Sequence, residues 1–462
     1  MTKKSPDVFV IAFGLILLAA LATWLVPGGA YERREENFGG KVREIVVPGS
    51  YRVEANRPQL AEVFVAPVRG FMYLGNIVAF IFIVGGAFNI LNETGAIAAG
   101  IHQLVKLLAH RTYLVIPLVM LVFSFFGGAF GMCEEAMPFA LIFVPLAIAL
   151  GYDSLVGVCL SFVAAGAGFA AGFMNPFTVQ IAQGIAGIAP GSGLGYRLVV
   201  WAVVTLVTIA WVMVYAARIK KDPTRSPMYD LDRQRREEID QAGAAAAVFG
   251  WRHGACLAIL ALTIGGLVIG VTLYDWYIQE LAGLFLAMGI LSGLVAGLGP
   301  NRSAKVFIAG AKDIAGAALI VAFAGGIIVI LQSGHILDTI LYGLASITSR
   351  VGGVLAAQSM FVLQTVLNFF IPSGSTKAVL TMPLLAPLAD LSGITRQTVV
   401  LAYQLGAGFT SMIIPTSGVT VGTMSLAKIP YERWVKWHWP LQVVFFILSL
   451  LALVWPALTH WN

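Results

Sequence analysis

Eleven apolar runs punctuate this chain of 462 residues, at 8–27, 71–92, 113–150, 154–190, 195–217, 254–274, 281–298, 314–333, 353–391, 395–428 and 434–458. Each is near or above the roughly 20 residues that a helix needs to cross a bilayer. Charged residues make up 11% and apolar residues 58%, where soluble domains average about 25% and about 45–50%. The chain therefore reads as an all-α polytopic membrane protein, and the soluble classes are excluded. The net charge of +6 resides in loops beside the runs, where it sets topology, so no nucleic-acid partner is expected. Cys133, Cys159 and Cys256 lie far apart inside apolar runs, a spacing that offers neither a disulfide framework nor a metal site. Lys3 and Lys4 before the first run resemble a signal peptide. That run is near 20 residues long, ends in Trp24 and Pro27 and has no small-x-small cleavage site, so it is read as a retained first helix.

The chain repeats itself at an offset near 240. Gly85-Gly86 with Ile90-Leu91 recurs as Gly325-Gly326 with Ile330-Leu331; Pro145-Leu146-Ala147 recurs as Pro387-Leu388-Ala389, and Gly166-Ala167-Gly168-Phe169 as Gly406-Ala407-Gly408-Phe409. A weaker match pairs Val63 to Arg69 with Val306 to Lys312. Apolar sequences match by chance easily, but four matches in order are better explained by duplication. Runs 113–150 and 353–391 are too long for one span and carry polar breaks, Gly131-Met132-Cys133-Glu134-Glu135 and Pro372-Ser373-Gly374-Ser375-Thr376-Lys377. Each is read as a re-entrant hairpin, because irregular backbone at membrane depth is tolerated only where it lines a protein cavity.

With the hairpins counted as zero, nine crossings remain. An N-terminus in the cytoplasm then places Arg218, Lys220, Lys221, Arg225, Arg233, Arg235, Arg236 and Arg252 inside, as the positive-inside rule requires. The outer loop 28–70 also carries basic residues, interleaved with acids, and its Gly39-Gly40 turn reads as a small extracellular β-hairpin. Span 8–27 runs outward and its counterpart 281–298 inward, so the repeats are inverted, an arrangement of secondary transporters. The resulting division is 1–70 for the first helix, extracellular loop and interfacial segment; 71–220 for repeat 1; 221–253 for a cytoplasmic basic linker; 254–280 for a connector helix; and 281–462 for repeat 2. Segments 95–111 and 335–350, the former with His102, Lys106, His110 and Arg111, are too polar to span and read as interfacial amphipathic helices.

Each repeat has a second interruption, at Asn175-Pro176-Phe177-Thr178 and at Pro415-Thr416-Ser417-Gly418. A proline removes a backbone donor, so the crossing helix breaks and exposes half-helix ends. Their N-terminal ends suit a carboxylate and their carbonyl ends a cation. Kinking alone would explain the prolines, but matched positions in both repeats favour a site. Acids inside a membrane run are costly and seldom idle, which singles out Glu134 and Glu135; Lys377 holds the related place in the second hairpin. One side thus offers carboxylates with Asn175, Pro176 and Thr178, the other Ser373, Gly374, Ser375, Thr376, Lys377, Thr416 and Ser417. An amino acid satisfies both, a basic one included, with its carboxylate on the second-repeat breaks and its amine or side-chain cation near Glu134 and Glu135. The alternative is a C4-dicarboxylate or other organic anion, with the acid pair as coupling-ion site and Lys377 holding the second carboxylate. In either case Glu134, Glu135, Asn175, Ser373 and Thr416 are the candidates for binding a coupling Na⁺ or H⁺, and no other cofactor or resident metal is expected. No nucleophile or base constellation of an enzyme is found, and a channel fits inverted hairpins less well than alternating access.

Gly131-Met132-x-Glu134-Glu135-x-x-Pro138-Phe139, Ala149-Leu150-Gly151-Tyr152-Asp153-Ser154, Asn368-Phe369-x-Ile371-Pro372-Ser373-Gly374-Ser375 and Met412-Ile413-Ile414-Pro415-Thr416-Ser417-Gly418 resemble the YfcC-like carriers, relatives of the anaerobic C4-dicarboxylate carriers in the ion transporter superfamily. The resemblance covers nearly the whole chain. It implies a homodimer in a bacterial inner membrane, with a static scaffold and a transport domain that moves as an elevator, and members labelled either as dicarboxylate carriers or as basic amino acid antiporters. Cys133 stands where the family commonly has a small residue such as alanine.

Overall fold

Backbone donors and acceptors inside a bilayer must pair within the chain, and the described residues satisfy them almost entirely by helix. The computed structural model describes residues 8–38, 41–107, 112–245, 249–274, 276–348 and 352–461. Among them, seven helices are long and apolar enough to cross a membrane, and an eighth candidate is the pair Pro300–Asp313 and Ala318–Ser333, bent by 51°. Two of the seven, Thr112–Phe130 and Gly353–Phe370, are first arms of the runs read as hairpins.

The Gly-Gly elements of the repeat take part in two reciprocal crossings. Gly70, in helix Ala66–Tyr73, lies against Gly325-Gly326 of helix Ala315–Ser333, where a Cβ on Gly70 would sit 2.2 Å from the Gly326 nitrogen. Gly310, in helix Pro300–Asp313, lies against Gly85 and Asn89 of helix Gly75–Glu93, where its Cβ would sit 2.5 Å from the Gly85 carbonyl. Gly70 and Gly310 are themselves 240 residues apart. Run 71–92 therefore starts differently than expected: residues 71–73 end a separate short helix, and the chain bends at Leu74 (φ −103°, ψ 20°) before the long one. Ile314 makes the corresponding bend (φ −107°, ψ 8°).

The repeated Gly-Ala-Gly-Phe elements pack likewise. Gly168 meets the Ser124 carbonyl on the first hairpin's leading arm, and Gly406 meets the Phe361 carbonyl on the second's. Gly408 approaches the Cα of Ala170, so the two broken helices cross at their glycines. In the first of these, residues Cys159–Val163 form a π-helical turn, a local widening that the apolar run gave no sign of.

Polar segments add three features. The expected ribbon pairs Arg33–Phe38 with Lys41–Val46, its Gly39-Gly40 turn lying outside the described residues. A second ladder, Gly28–Ala30 with Arg52–Glu54, was not anticipated. The linker 221–253 contains a helix, Tyr229–Ala245, instead of open chain. It docks because Asp232 accepts the Ser154 N–H at 2.7 Å and Arg235 donates to the Lys428 carbonyl at 2.6 Å. Helices Ala96–Leu107 and Leu337–Thr348 stand where interfacial segments were expected; His110 and Arg111 lie outside the described residues, and the side chains of His102 and Lys106 are likewise not described. The connector helix spans Trp251–Leu273, and the next helix starts at Ile278, three residues before the expected boundary at 281.

Candidate functional site

Four breaks converge. The first hairpin's leading helix, Val115–Phe130, ends at Gly131 (φ 74°), whose absent Cβ leaves room for the Asn175 side chain 2.4 Å away. A 3-10 segment, Glu134–Phe139, follows. The second hairpin stops at Phe370 and restarts as helix Gly374–Leu391, with Ser373 as N-cap accepting the Thr376 N–H. The second broken helix restarts as Gly418–Leu426, with Ser417 as N-cap accepting the Thr420 N–H. Thr416 Oγ1 donates to the Phe369 carbonyl at 2.8 Å, and Tyr403 donates to the Gly374 carbonyl at 2.6 Å. These bonds hold the second hairpin and second broken helix as one unit.

Between the breaks lies a cavity of about 270 Å³, lined by Cys133, Glu134, Thr178, Ser373, Gly374, Ser375, Thr376, Ser411, Thr416, Ser417 and, from elements outside the hairpins, Asn76 and Tyr277. Among the described residues, Glu134 is its one charged lining side chain, and no Lys, Arg or His lines it. The same cavity is lined by two capped helix starts, each leaving backbone N–H groups over for an anion. The hydroxyl of Thr178 is buried at the wall without a hydrogen-bond partner.

Of the residues expected at the site, Glu134, Thr178, Ser373, Gly374, Ser375, Thr376, Thr416 and Ser417 meet at this cavity. Four expected residues do not line it. Glu135 points into the protein, 2% exposed, its Oε2 accepting the Cys133 N–H at 2.9 Å. Asn175 is buried behind Gly131, where its Oδ1 accepts the Phe177 N–H, and Pro176 only shapes that turn. Lys377 is fully buried between the arms of the second hairpin, its Nζ donating to Asn368 Oδ1 at 2.5 Å and to the Gln364 carbonyl at 3.4 Å. The reason is helical geometry: residues 134 and 135 differ by about 120° around a 3-10 axis, and 376 and 377 by about 100° around an α-helical one, so one faces the cavity and the next does not. Asn76, Tyr277 and Ser411 escaped the sequence reading because each is an ordinary polar residue in or beside an apolar run. Asn76 bonds Gln279 at 3.1 Å, and Tyr277 packs on Phe177 with ring centres 6.0 Å apart.

A larger cavity of about 550 Å³ lies beneath the strand segment, lined by Gly29, Arg33, His335, Asp338 and Thr376 among others. Its polar side chains already have partners, Arg33 Nη2 donating to both Asp338 oxygens at 2.9 Å and His335 lying 2.7 Å from Glu54. The smaller cavity, with an unpaired acid and open helix ends, is therefore the candidate site.

A helical, multi-pass body around a cavity that sets an acid and several hydroxyls among apolar side chains is the construction of a membrane transporter. The chain belongs to the C4-dicarboxylate anaerobic carrier family, whose model matches residues 5–457. It is 37% identical to YfcC of Escherichia coli (strain K12), a proposed basic amino acid antiporter, across 99% of this chain and 97% of that one. An uncharacterized protein of Haemophilus influenzae (strain ATCC 51907 / DSM 11121 / KW20 / Rd) is 30% identical, across 98% and 97% respectively. Among solved structures, Neisseria gonorrhoeae MtrF, from a class of antimetabolite efflux pumps, superposes with a TM-score of 0.44 at 16% identity, over 98% of this chain and 96% of that one. The Alcanivorax borkumensis YdaH transporter superposes with a TM-score of 0.43 at 16% identity, over 98% and 100%.

Proposed function

We propose that this protein is a secondary transporter of a small amino acid, basic amino acids such as arginine or ornithine included, working by alternating access in a bacterial inner membrane. The observation that carries the reading is the cavity's charge pattern: one acid, Glu134, shares it with two capped helix starts, and among the described residues no basic side chain is on the wall. An amino acid presents a cation to the first and a carboxylate to the second. A C4-dicarboxylate would bring two carboxylates, and the lysine that could have met the second is occupied inside the hairpin by Asn368. The name carried by the Escherichia coli relative points the same way.

The reciprocal crossings of Gly70 and Gly310 support a duplicated architecture, and the inverted orientation of its halves rests on the count of crossings between them. An elevator movement of the hairpin unit against a static scaffold, in a homodimer, follows from the family resemblance. Asn76 and Tyr277 supply the wall opposite the second hairpin, and are the contacts that such a movement would exchange.

The test is thermal-shift screening of the purified protein against amino acids and dicarboxylates, with and without Na⁺, because a ligand at 100 times its Kd stabilises by about 2.7 kcal/mol. An amino acid is expected to raise Tm in the wild type and to have no effect on Glu134→Gln. A rise with succinate or fumarate and none with amino acids would reverse the assignment.

A further inference from the structure

Two ionisable side chains buried beside the cavity occupy matched positions. The shift of 242 residues that carries Pro145-Leu146-Ala147 onto Pro387-Leu388-Ala389 also carries Glu135 onto Lys377. Both are closed off, at 2% and 0% exposure, and among the described residues neither forms an ion pair.

Lys377 meets neutral oxygens only, Asn368 Oδ1 and the Gln364 carbonyl. Amide and carbonyl oxygens at a helix break are the ligands that transporters offer to Na⁺. Here the Lys377 side-chain amine fills that place. Asn368 passes the contact on, because its Nδ2 bonds Thr410 and Ser411 at 2.8 and 2.9 Å, and Ser411 lines the cavity. The second hairpin is thus built around a buried amine of its own.

Glu135 has the opposite setting. Its neighbours along the chain, Ala136, Met137, Pro138 and Phe139, are buried and apolar, and backbone N–H groups of its own segment, that of Cys133 at 2.9 Å among them, serve its carboxyl. The segment and the elements packed on it carry these titratable groups: Glu134 and Cys133 on the segment itself, Cys159 on the π-helical turn, and Tyr277 with Glu280 at the start of helix Ile278–Ala296; helices Ala140–Ala149 and Gly418–Leu426 carry none. Among the described residues, no group of three or more His, Cys, Asp or Glu side chains gathers around it to hold a metal ion. A buried carboxylate without a counter-charge is costly, whereas the neutral acid is tolerated.

Resting on the amino acid reading for Glu134, we infer that the coupling ion is H⁺, that Glu135 carries it, and that the two adjacent glutamates divide substrate and proton between them. The carboxyl O–H of Glu135 breaks toward water on the side to which the hairpin opens, leaving a carboxylate. That carboxylate takes a proton from water on the other side when the hairpin has moved. One proton crosses per cycle, with no other bond made or broken.

The test uses the full chain in proteoliposomes with L-arginine as the probe. A pH gradient is expected to drive accumulation in the wild type and a Na⁺ gradient to drive none. Glu135→Gln is expected to lose pH-driven accumulation and the pH dependence of its residual flux, while Glu135→Asp, which keeps a titratable group and reports on folding, retains both. Accumulation driven by Na⁺, or an unchanged pH response in Glu135→Gln, would overturn the inference. A second arm needs no substrate: infrared difference spectra between acid and alkaline buffer should show a protonated carboxyl band that disappears in Glu135→Gln, and its absence from the wild type would refute the proton carrier. Wild-type protein that shows this band yet neither accumulates nor exchanges arginine would leave Glu135 as the carrier and refute the amino acid reading alone.

Discussion

Substituting Gly70 by alanine tests the crossing on which the two halves meet. The added Cβ would lie 2.2 Å from both the Ala322 carbonyl oxygen and the Gly326 nitrogen. Both atoms are backbone, so relief requires moving a helix. Overpacking of this kind costs about 1–3 kcal/mol. Alanine returns about 0.5–1 kcal/mol through its better helix propensity, so a cost at the upper end, as contact with rigid backbone atoms implies, leaves a net loss of about 2–2.5 kcal/mol. For a chain of this size roughly 2 °C accompanies each kcal/mol, a fall in apparent Tm of about 4–5 °C. Gly310→Ala, 2.5 Å from the Gly85 carbonyl, should behave alike, and the double variant should lose about the sum, because the sites share no partner. The control is Gly283→Ala, in an exposed part of helix Ile278–Ala296 with nothing within 4 Å of the new atom, which should gain up to about 1 kcal/mol. Tryptophan fluorescence on heating in detergent reads all four proteins. A Gly70→Ala protein as stable as wild type, or a Gly283→Ala protein that falls equally, would refute the close-crossing argument.

Arg33→Ala should loosen the strand segment from helix Leu337–Thr348, since it strips from Asp338, whose side chain is 6% exposed, the partner that donates to both its oxygens; a loss of about 1–3 kcal/mol and faster proteolysis within 28–60 are expected, and unchanged cleavage would count against it. Ser417→Ala removes the cap on the Thr420 N–H and should cost about 0.5–2 kcal/mol, together with weaker amino acid binding; loss of stability with binding intact would place the helix start outside the site. Outside the membrane, Asp230 is held down to about 2 by its hydrogen bonds to Arg433, at 2.5 and 2.9 Å. A depressed carboxyl contributes stability above its unfolded value of about 3.9 and loses it as pH falls toward 2, so Arg433→Gln should raise the Asp230 pKa by NMR titration and erase that segment of the acid response.

The residues that define the cavity were partly readable because breaks are local. Proline at 176, 372 and 415 and capping serines at 373 and 417 interrupt helices through their own chemistry, whatever surrounds them. The reading went astray where the answer depended on which way a side chain points. Glu134 and Glu135 are equivalent in composition, yet one lines the cavity and the other is sealed behind it. Lys377 was assigned to a carboxylate and instead meets Asn368, nine residues earlier on the facing arm. Tyr277 and Asn76 carried no signal, since nothing local marks a polar residue that a distant hairpin will approach.

By itself, then, the sequence determined that the chain is a helical membrane protein, where its helices break, and that its halves carry repeated elements; each follows from apolar run length, backbone chemistry or self-similarity, all properties of contiguous residues. Tertiary structure alone decided that Gly70 meets Gly326 and Gly310 meets Gly85, that two helix starts share a cavity with a single acid, and that Lys377 serves its own hairpin. Those facts depend on how helices hundreds of residues apart rotate and cross, which is settled by packing over the whole body.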